Sequence, residues 1–347
     1  MKVIRPDIKL RIKGAATILP PGEAISNFDL LAQGPQARDL SEEVIKKLAD
    51  KITKKYAFEK RYFSHNPGLG NLKPDQVSSE TMAIEVAKKA LNNSDELDLY
   101  ILGSTTSSRY TGSMAPAVLG AIGLKKPAYE TKAGCSTSLA SLYMAISFLK
   151  LGHKNVLVSC VETLSKVINP KIKETWFGLG DGGSALYIES VENENDGDFI
   201  VEKMIYSTDG EHVNAYTTPG QLPPNKEDFE QGNYFIAGDG EQLKGLADKY
   251  YNLMLDHLFT EADELDKVDY LIPHQVNREL VNKVVNQRNI KATVIWDALD
   301  IGNVGGSSVL YSLVNSIEKN QFKSGDRILM MSVGGGLSYS AHVWRKL

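Results

Sequence analysis

The sequence predicts an α/β fold made of two related halves. Two observations carry this reading. Short apolar, β-branched runs alternate with segments of helical period, the pattern of strands interleaved with packing helices. One stretch of the chain also recurs. Gly134–Cys160 (GCSTSLASLYMAISFLKLGHKNVLVSC) and Gly302–Val333 (GNVGGSSVLYSLVNSIEKNQFKSGDRILMMSV) each pass from a glycine through a small-residue turn, an amphipathic helix and a charged turn into a buried strand. Convergence on a common strand–helix pattern would give the same likeness. A duplicated unit further predicts two similar halves packed face to face, with a site drawing residues from both. The acidic, Asn-rich stretch Val191–Asp198 is an exposed connection, and it divides the chain into halves 1–192 and 193–347.

The elements follow in order. Leu97–Gly103 (LDLYILG) reads as a buried strand, and Leu139–Leu151 as a helix stopped by Gly152. Asn155–Ser159 and Ser184–Ile188 read as strands, as do Tyr270–Ile272 and Arg327–Met331. Thr217–Asn225 (TTPGQLPPN) reads as a surface loop.

Composition narrows the function classes. The 347 residues are 42% hydrophobic and 24% charged, an ordinary globular balance that excludes disorder, collagen and coiled coil. The net charge of −4 gives no broad field to draw nucleic acid or anionic membrane. No apolar run approaches the ~18 residues of a membrane helix, and the charge-interrupted N-terminus lacks a signal-peptide core. Two cysteines make no disulfide framework. A cytoplasmic protein without a membrane span is expected.

The chemistry gathers at a few positions. Cys135 sits in Ala-Gly-Cys-Ser-Thr-Ser at a turn that opens a helix. Backbone N–H groups and the helix dipole then favour thiolate, so its pKa is expected to fall, and thiolate attacks thioester or ester carbonyls. The plainer reading is a buried structural cysteine, which is the reading for Cys160 in its hydrophobic strand. His274 (Leu-Ile-Pro-His-Gln-Val-Asn) follows an apolar strand, where α/β folds place their sites; a His satisfied by a loop carbonyl is the alternative. Asn303 (Asp-Ile-Gly-Asn-Val-Gly-Gly-Ser-Ser) reads as a helix cap, yet it lies near the repeat counterpart of Cys135. Gly334–Gly336 after the last of these strands can bring backbone N–H groups against a ligand, or simply turn the chain. Gly178–Gly183 looks superficially like a nucleotide loop, but a strand follows it instead of a helix. No Cys-x-x-Cys, His-Glu-x-x-His or Gly-x-Ser-x-Gly motif is present, and no metal site is expected.

Five motifs in register resemble β-ketoacyl-acyl-carrier-protein synthase III and its relatives in the thiolase-fold superfamily. They are Gly-Cys-Ser-Thr-Ser from Gly134, Gly-Asp-Gly-Gly-Ser-Ala from Gly180, Pro-His-Gln-Val-Asn from Pro273, Gly-Asn-Val-Gly-Gly-Ser-Ser from Gly302 and Val-Gly-Gly-Gly-Leu-Ser from Val333. The likeness runs from Leu97 to Leu347. It implies a thiolase-like five-layer αβαβα fold of two pseudo-symmetric halves and a Cys-His-Asn triad, by position Cys135, His274 and Asn303. It implies ping-pong chemistry without a cofactor: Cys135 takes an acyl group from coenzyme A or acyl carrier protein, and the enolate of a decarboxylated malonyl- or β-ketoacyl-thioester attacks it. The oxyanion donors would be the N–H groups of Cys135 and Gly335. Tyr110 falls where the family often has a bulky aromatic that crosses the interface of a homodimer and closes the partner's acyl pocket.

The sequence also departs from the family. Housekeeping members hold coenzyme A with a Trp and an Arg-Thr-Gly-Ile stretch; here Asp50–Arg61 reads DKITKKYAFEKR, with Lys54 near the Arg position and no Trp. This argues for a donor delivered on a carrier protein. The Arg expected five residues after the His is Glu279, and Arg278 points ~100° away from it on a helix. Lys171, Lys173 or Lys283 are alternatives for docking an acidic carrier. Gly305-Gly306 is a more open turn than expected. Together these departures suggest a specialised synthase in secondary metabolism, such as a polyketide, resorcinol or quinolone pathway, with housekeeping fatty-acid biosynthesis as the alternative.

Among competing readings, degradative thiolase lacks its second cysteine, chalcone synthase its loop Pro and greater length, and hydroxymethylglutaryl-coenzyme A synthase a placeable Glu. An acyltransferase to an alcohol or amine, without decarboxylation, is the enzymatic alternative. A homodimer is expected, with a heterodimer with a paralogue as its alternative.

Overall fold

The computed structural model describes residues 1–33, 40–65, 77–169, 173–261 and 263–347. The first part of the chain contains β1 (Ile8–Ile18), β2 (Ile25–Ser26), α1 (Asn27–Gln33), α2 (Glu42–Tyr56), β3 (Lys60–Arg61), α3 (Ser79–Leu91), β4 (Leu99–Gly103), α4 (Met114–Ala121), β5 (Ala128–Thr131), α5 (Thr137–Lys150), β6 (Asn155–Thr163), α6 (Lys173–Gly178) and β7 (Asp181–Val191). The second part contains β8 (Phe199–Thr208), β9 (Tyr216–Thr217), α7 (Lys226–Gln231), β10 (Ala237–Gly238), α8 (Gly240–Leu258), β11 (Tyr270–Pro273), α9 (Arg278–Gln287), β12 (Thr293–Val294), α10 (Ala298–Ile301), α11 (Ser308–Glu318), β13 (Arg327–Gly334) and β14 (Ser338–Lys346).

Ten strands hydrogen-bond in the order β12-β11-β13-β14-β8-β1-β7-β6-β4-β5. The seam is narrow, since β1 meets β8 only at Ile8–Leu10. On either side of it the topology is the same. β1-β7-β6-β4-β5 and β8-β14-β13-β11-β12 each have three parallel strands at the outer edge, joined to an antiparallel pair. The two repeated stretches supply the same parts of each group, α5 with β6 and α11 with β13.

Burial explains the layering. Every residue of β4 and β6 is buried, as expected of strands covered on both faces. α5 and α11 lie between the two strand groups, where Leu142 and Ile146 share one core with Leu310, Leu313, Val158 and Met330. α3 and α4 cover the outer face of the first group, with Val86 and Met114 against Leu102. α8 and α9 cover the second, with Met254 and Val281 against Leu271. The result is the five-layer αβαβα arrangement that the resemblance implied. No helix among the described residues is long and apolar enough to cross a membrane.

Candidate active site

Cys135 occupies the turn that enters α5, two residues before its first helical residue. The turn is pressed against the glycine loop that ends β13. Gly134 has φ +52°, and a Cβ there would lie 2.2 Å from the Gly335 oxygen. A Cβ on Gly334 would lie 2.3 Å from the Cys135 nitrogen. Only glycine lets the two backbones come this close. Ser332 Oγ donates to the Cys135 carbonyl at 2.7 Å, and Ser338 Oγ to the Ala133 carbonyl at 2.5 Å, so β13 and β14 clamp the turn.

The N–H groups of Cys135 and Gly335 both act on the Cys135 sulfur. Their effect is outweighed, and the expectation of a lowered pKa is corrected. The residue as a whole is half-buried, but its sulfur is densely enclosed. Burial, then the charge of Glu162, push the thiol up to about 12. At pH 7 only on the order of 10⁻⁵ of such a group is ionised. The thiol is therefore neutral at pH 7. Cys160 is wholly buried in the core, as the sequence suggested.

His274 stands at the C-terminal end of β11, where its N–H donates to the Met331 carbonyl at 2.7 Å. The adjacent Gln275 locks this end in place. Its Nε2 donates to Ser312 Oγ and its Oε1 accepts from the Ala298 N–H, both at 2.6 Å. Asn277, from the same motif, caps α9. His274 is 1% exposed, and neither ring nitrogen has a partner among the described residues. Burial lowers its pKa to about 4, so the imidazole is neutral near pH 7. Tyr251, on α8, reaches the backbone of His274 and lies in the field of Cys135.

Asn303 is fixed at both main-chain groups. Its N–H donates to Gly178 O at 2.7 Å, and its carbonyl accepts from the Gly180 N–H at 3.0 Å. The Gly178–Gly183 run thus cradles the Asn303 loop. The side-chain oxygen of Asn303 accepts from the Gly305 N–H at 2.9 Å and from Ser308 Oγ at 3.1 Å. These bonds brace the turn ahead of α11 and correct the helix-cap reading, since the residue that enters α11 is Ser307; they leave Nδ2 as a donor without a partner among the described residues. The Asn303 loop reaches the Cys135 turn at Gly306, where a Cβ would lie 2.9 Å from the Gly134 oxygen.

The other candidates are dispersed. Tyr110 is 81% exposed, and Lys54 is exposed on α2. Arg278 is half-buried, with its guanidinium carbon 5.1 Å from the centre of the Trp296 ring. Lys283 pairs with Asp248 at 2.8 Å. Lys171 and the side chain of Lys173 lie outside the described residues. The sequence reading missed Trp296. Its Nε1 donates to the Ala57 carbonyl at 2.9 Å, which brings an indole to the Asp50–Arg61 segment from more than two hundred residues away. It also missed Tyr216, which packs on the glycine loop in the field of Cys135.

Comparison with known proteins places the chain in a family. The signature of 3-Oxoacyl-[acyl-carrier-protein (ACP)] synthase III matches residues 129–210, and that of its C-terminal part matches residues 261–346. The Beta-ketoacyl-[acyl-carrier-protein] synthase III of Clostridium novyi (strain NT) is 31% identical over 275 residues, covering 76% of this chain and 82% of that protein. The chain belongs to the β-ketoacyl-acyl-carrier-protein synthase III family. A Clostridium perfringens relative of the same name is 29% identical over 301 residues, 84% of this chain and 88% of that one. The crystal structure of the Aquifex aeolicus VF5 synthase III superposes with a TM-score of 0.78 at 27% identity, covering 97% and 99% of the two chains. This synthase III-like chain is therefore an acyl-transferring, condensing enzyme.

Proposed function

We propose that this enzyme forms an acyl thioester on Cys135 and condenses it decarboxylatively with a malonyl- or β-ketoacyl-thioester. One observation carries the reading. The Asn303 loop touches the Cys135 turn, whose sulfur has the N–H groups of Cys135 and Gly335 beside it, and two neutral donors, His274 and the Nδ2 of Asn303, have no partner among the described residues.

In the first half-reaction the Cys135 sulfur bonds to the donor carbonyl carbon, the two N–H groups receive the oxyanion, and the donor thiol leaves with the Cys135 proton. In the second, the extender loses CO2, and His274 and Asn303 donate to the thioester oxygen as it becomes an enolate. The enolate carbon attacks the acyl carbonyl, the C–S bond breaks, and Cys135 leaves as thiolate and takes a proton from solvent. A cationic histidine would pair with a thiolate; the neutral imidazole suits donation to a developing oxyanion. No cofactor is needed.

The acyl donor is read as a carrier-protein thioester rather than free acyl-coenzyme A. Lys54 stands near the position that holds the nucleotide in housekeeping members, and the Asp50–Arg61 segment contains no tryptophan. The Trp296 ring already carries Arg278, and Phe58 at 6.1 Å. The departures in the sequence favour secondary metabolism in the cytoplasm over housekeeping initiation.

The deciding experiment incubates the protein with acyl-coenzyme A and acyl-carrier-protein thioesters, then weighs it intact. An adduct is expected on the wild type and not on Cys135→Ala, discharged by malonyl thioester with release of CO2. An adduct that resists malonyl thioester but transfers to an alcohol or amine would replace this reading with acyl transfer. No adduct from any donor would sink both.

A dimer is part of the proposal. β5 ends the sheet with one side unpaired among the described residues, and Tyr129 on it is 45% exposed. Tyr110, 81% exposed, is proposed to cross the interface and close the partner's acyl pocket. Tyr110→Ala is expected to shift acyl preference toward longer chains in the adduct assay. Unchanged preference, or a monomer by light scattering, would remove Tyr110 from that role.

A further inference from the structure

We infer that Glu162 is a positioning residue of the condensing site: its buried carboxylate joins the Thr105–Thr106 segment to the Asn303 loop and controls, from behind, the charge on the Cys135 sulfur. The inference rests on the proposed role of Cys135, but its test does not depend on turnover.

Glu162 lies in β6 and is 0% exposed. Four donors meet its carboxylate, and they are distributed unevenly. Oε2 accepts from Thr106 Oγ1 at 2.7 Å, from Thr105 Oγ1 at 2.9 Å, and from the N–H groups of Thr105 and Thr106 at 3.1 Å. Oε1 receives only the Thr105 N–H, at 2.9 Å. This less engaged oxygen faces the site. A Cβ on Gly306 would lie 2.8 Å from Oε1 and 2.9 Å from the Gly134 oxygen. One methyl-sized space thus separates the carboxylate from the backbone of the Cys135 turn. The open Gly305-Gly306 turn, unexpected from the resemblance, is what allows the loop to pass between them.

No lysine or arginine forms an ion pair with Glu162 among the described residues. The titratable groups that feel its charge are Cys135 across Gly306 and Cys160 on its own strand, and both thiols are raised partly by it. Burial raises Glu162 itself to about 7, against the pull of the four donors. Its charge therefore changes within the working pH range. As an anion it opposes a second negative charge at Cys135, so the free thiol stays protonated and poorly reactive. The opposition ends once the sulfur is acylated and can no longer ionise.

The test is the rate of iodoacetamide alkylation of Cys135, followed by intact mass between pH 6 and 10. In Glu162→Gln the charge is gone while the threonine hydroxyls can rotate to accept. Alkylation at pH 8 should rise about tenfold, one pKa unit downward for the thiol. Glu162→Asp, which keeps the charge, should stay near wild type. Equal rates in wild type and a folded Glu162→Gln would overturn the inference. If Glu162→Gln does not fold, Thr106→Val serves instead. It removes a donor that favours the carboxylate anion, so it should also speed alkylation, and no change there counts equally against the idea.

A second readout uses stability. Glu162 has a higher pKa folded than unfolded, so its contribution is fully present below about 4.5 and is lost as pH rises through about 7. The melting temperature of Glu162→Gln relative to wild type should therefore climb between pH 5 and 8. A purely structural residue would lower stability in both variants and leave the alkylation profile unmoved. Alkylation without any acyl adduct would reject the function proposed above while leaving this charge coupling in place.

Discussion

Asn303→Asp is expected to leave acyl transfer to Cys135 within about tenfold of wild type and to slow decarboxylative condensation by about 10³-fold. The local structure makes this substitution selective. The Asn303 side-chain oxygen accepts two hydrogen bonds, from the Gly305 N–H and from Ser308 Oγ. An aspartate can accept both unchanged, so the loop keeps its shape. What changes is the atom at Nδ2, where a donor becomes a carboxylate oxygen. A single donor to a developing oxyanion contributes about 2.7–4 kcal/mol to the barrier, or 10²–10³ in rate. A negative charge in its place adds repulsion in an enclosed site. In the proposed mechanism acyl transfer uses backbone N–H groups and does not draw on Nδ2. Single-turnover measurement of adduct formation and of CO2 release separates the two steps. Equal losses in both would make Asn303 structural; no loss in CO2 release would remove it from the chemistry.

The sequence carried local features well and long-range electrostatics poorly. The helix after Cys135 was legible because apolar residues recur at helical spacing and Gly152 stops it; the structure has α5 at Thr137–Lys150. β6 reads as a strand from NVLVS alone, and the structure extends it to Thr163. That extension carries Glu162 into the interior, and nothing near it in sequence signals a buried charge. Its partners, Thr105 and Thr106, are more than fifty residues away. The charge state of Cys135 was misjudged for the same reason. The helix N-terminus is a local signal that favours thiolate, whereas enclosure of the sulfur and the field of Glu162 exist only after folding. Trp296 shows the same limit. The segment after α2 lacks a tryptophan in sequence but acquires one in space, because the chain before α10 returns to Ala57.

Arg61→Met should be the most destabilising single change near the site, by about 2–5 kcal/mol. Arg61 is 0% exposed, and no carboxylate lies within ion-pair distance of it among the described residues. Its guanidinium is held by oxygens alone. Nη1 donates to the carbonyls of Ile25 and Glu59 at 3.1 Å, and Nη2 to Asn27 Oδ1 at 2.5 Å and the Phe177 carbonyl at 2.7 Å. Burial draws its pKa down to about 9, which still leaves it charged at pH 7. Methionine would fill most of the volume but would leave two buried acceptors, on Asn27 and Phe177, without donors. Each costs about 1–3 kcal/mol. Relief from burying a cation works the other way, so a Met variant as stable as wild type in urea unfolding would mean that relief prevails. The side chain also props the active site. A Cβ on Gly302 would lie 2.9 Å from the Arg61 Cβ, and the next residue is Asn303. The Phe177 carbonyl held by Arg61 adjoins Gly178, whose oxygen receives the Asn303 N–H. Loss of the guanidinium should loosen Asn303 more than Cys135. CO2 release should then fall further than acyl-adduct formation in Arg61→Met at temperatures where the variant remains folded, and a uniform loss of both would assign Arg61 to stability alone.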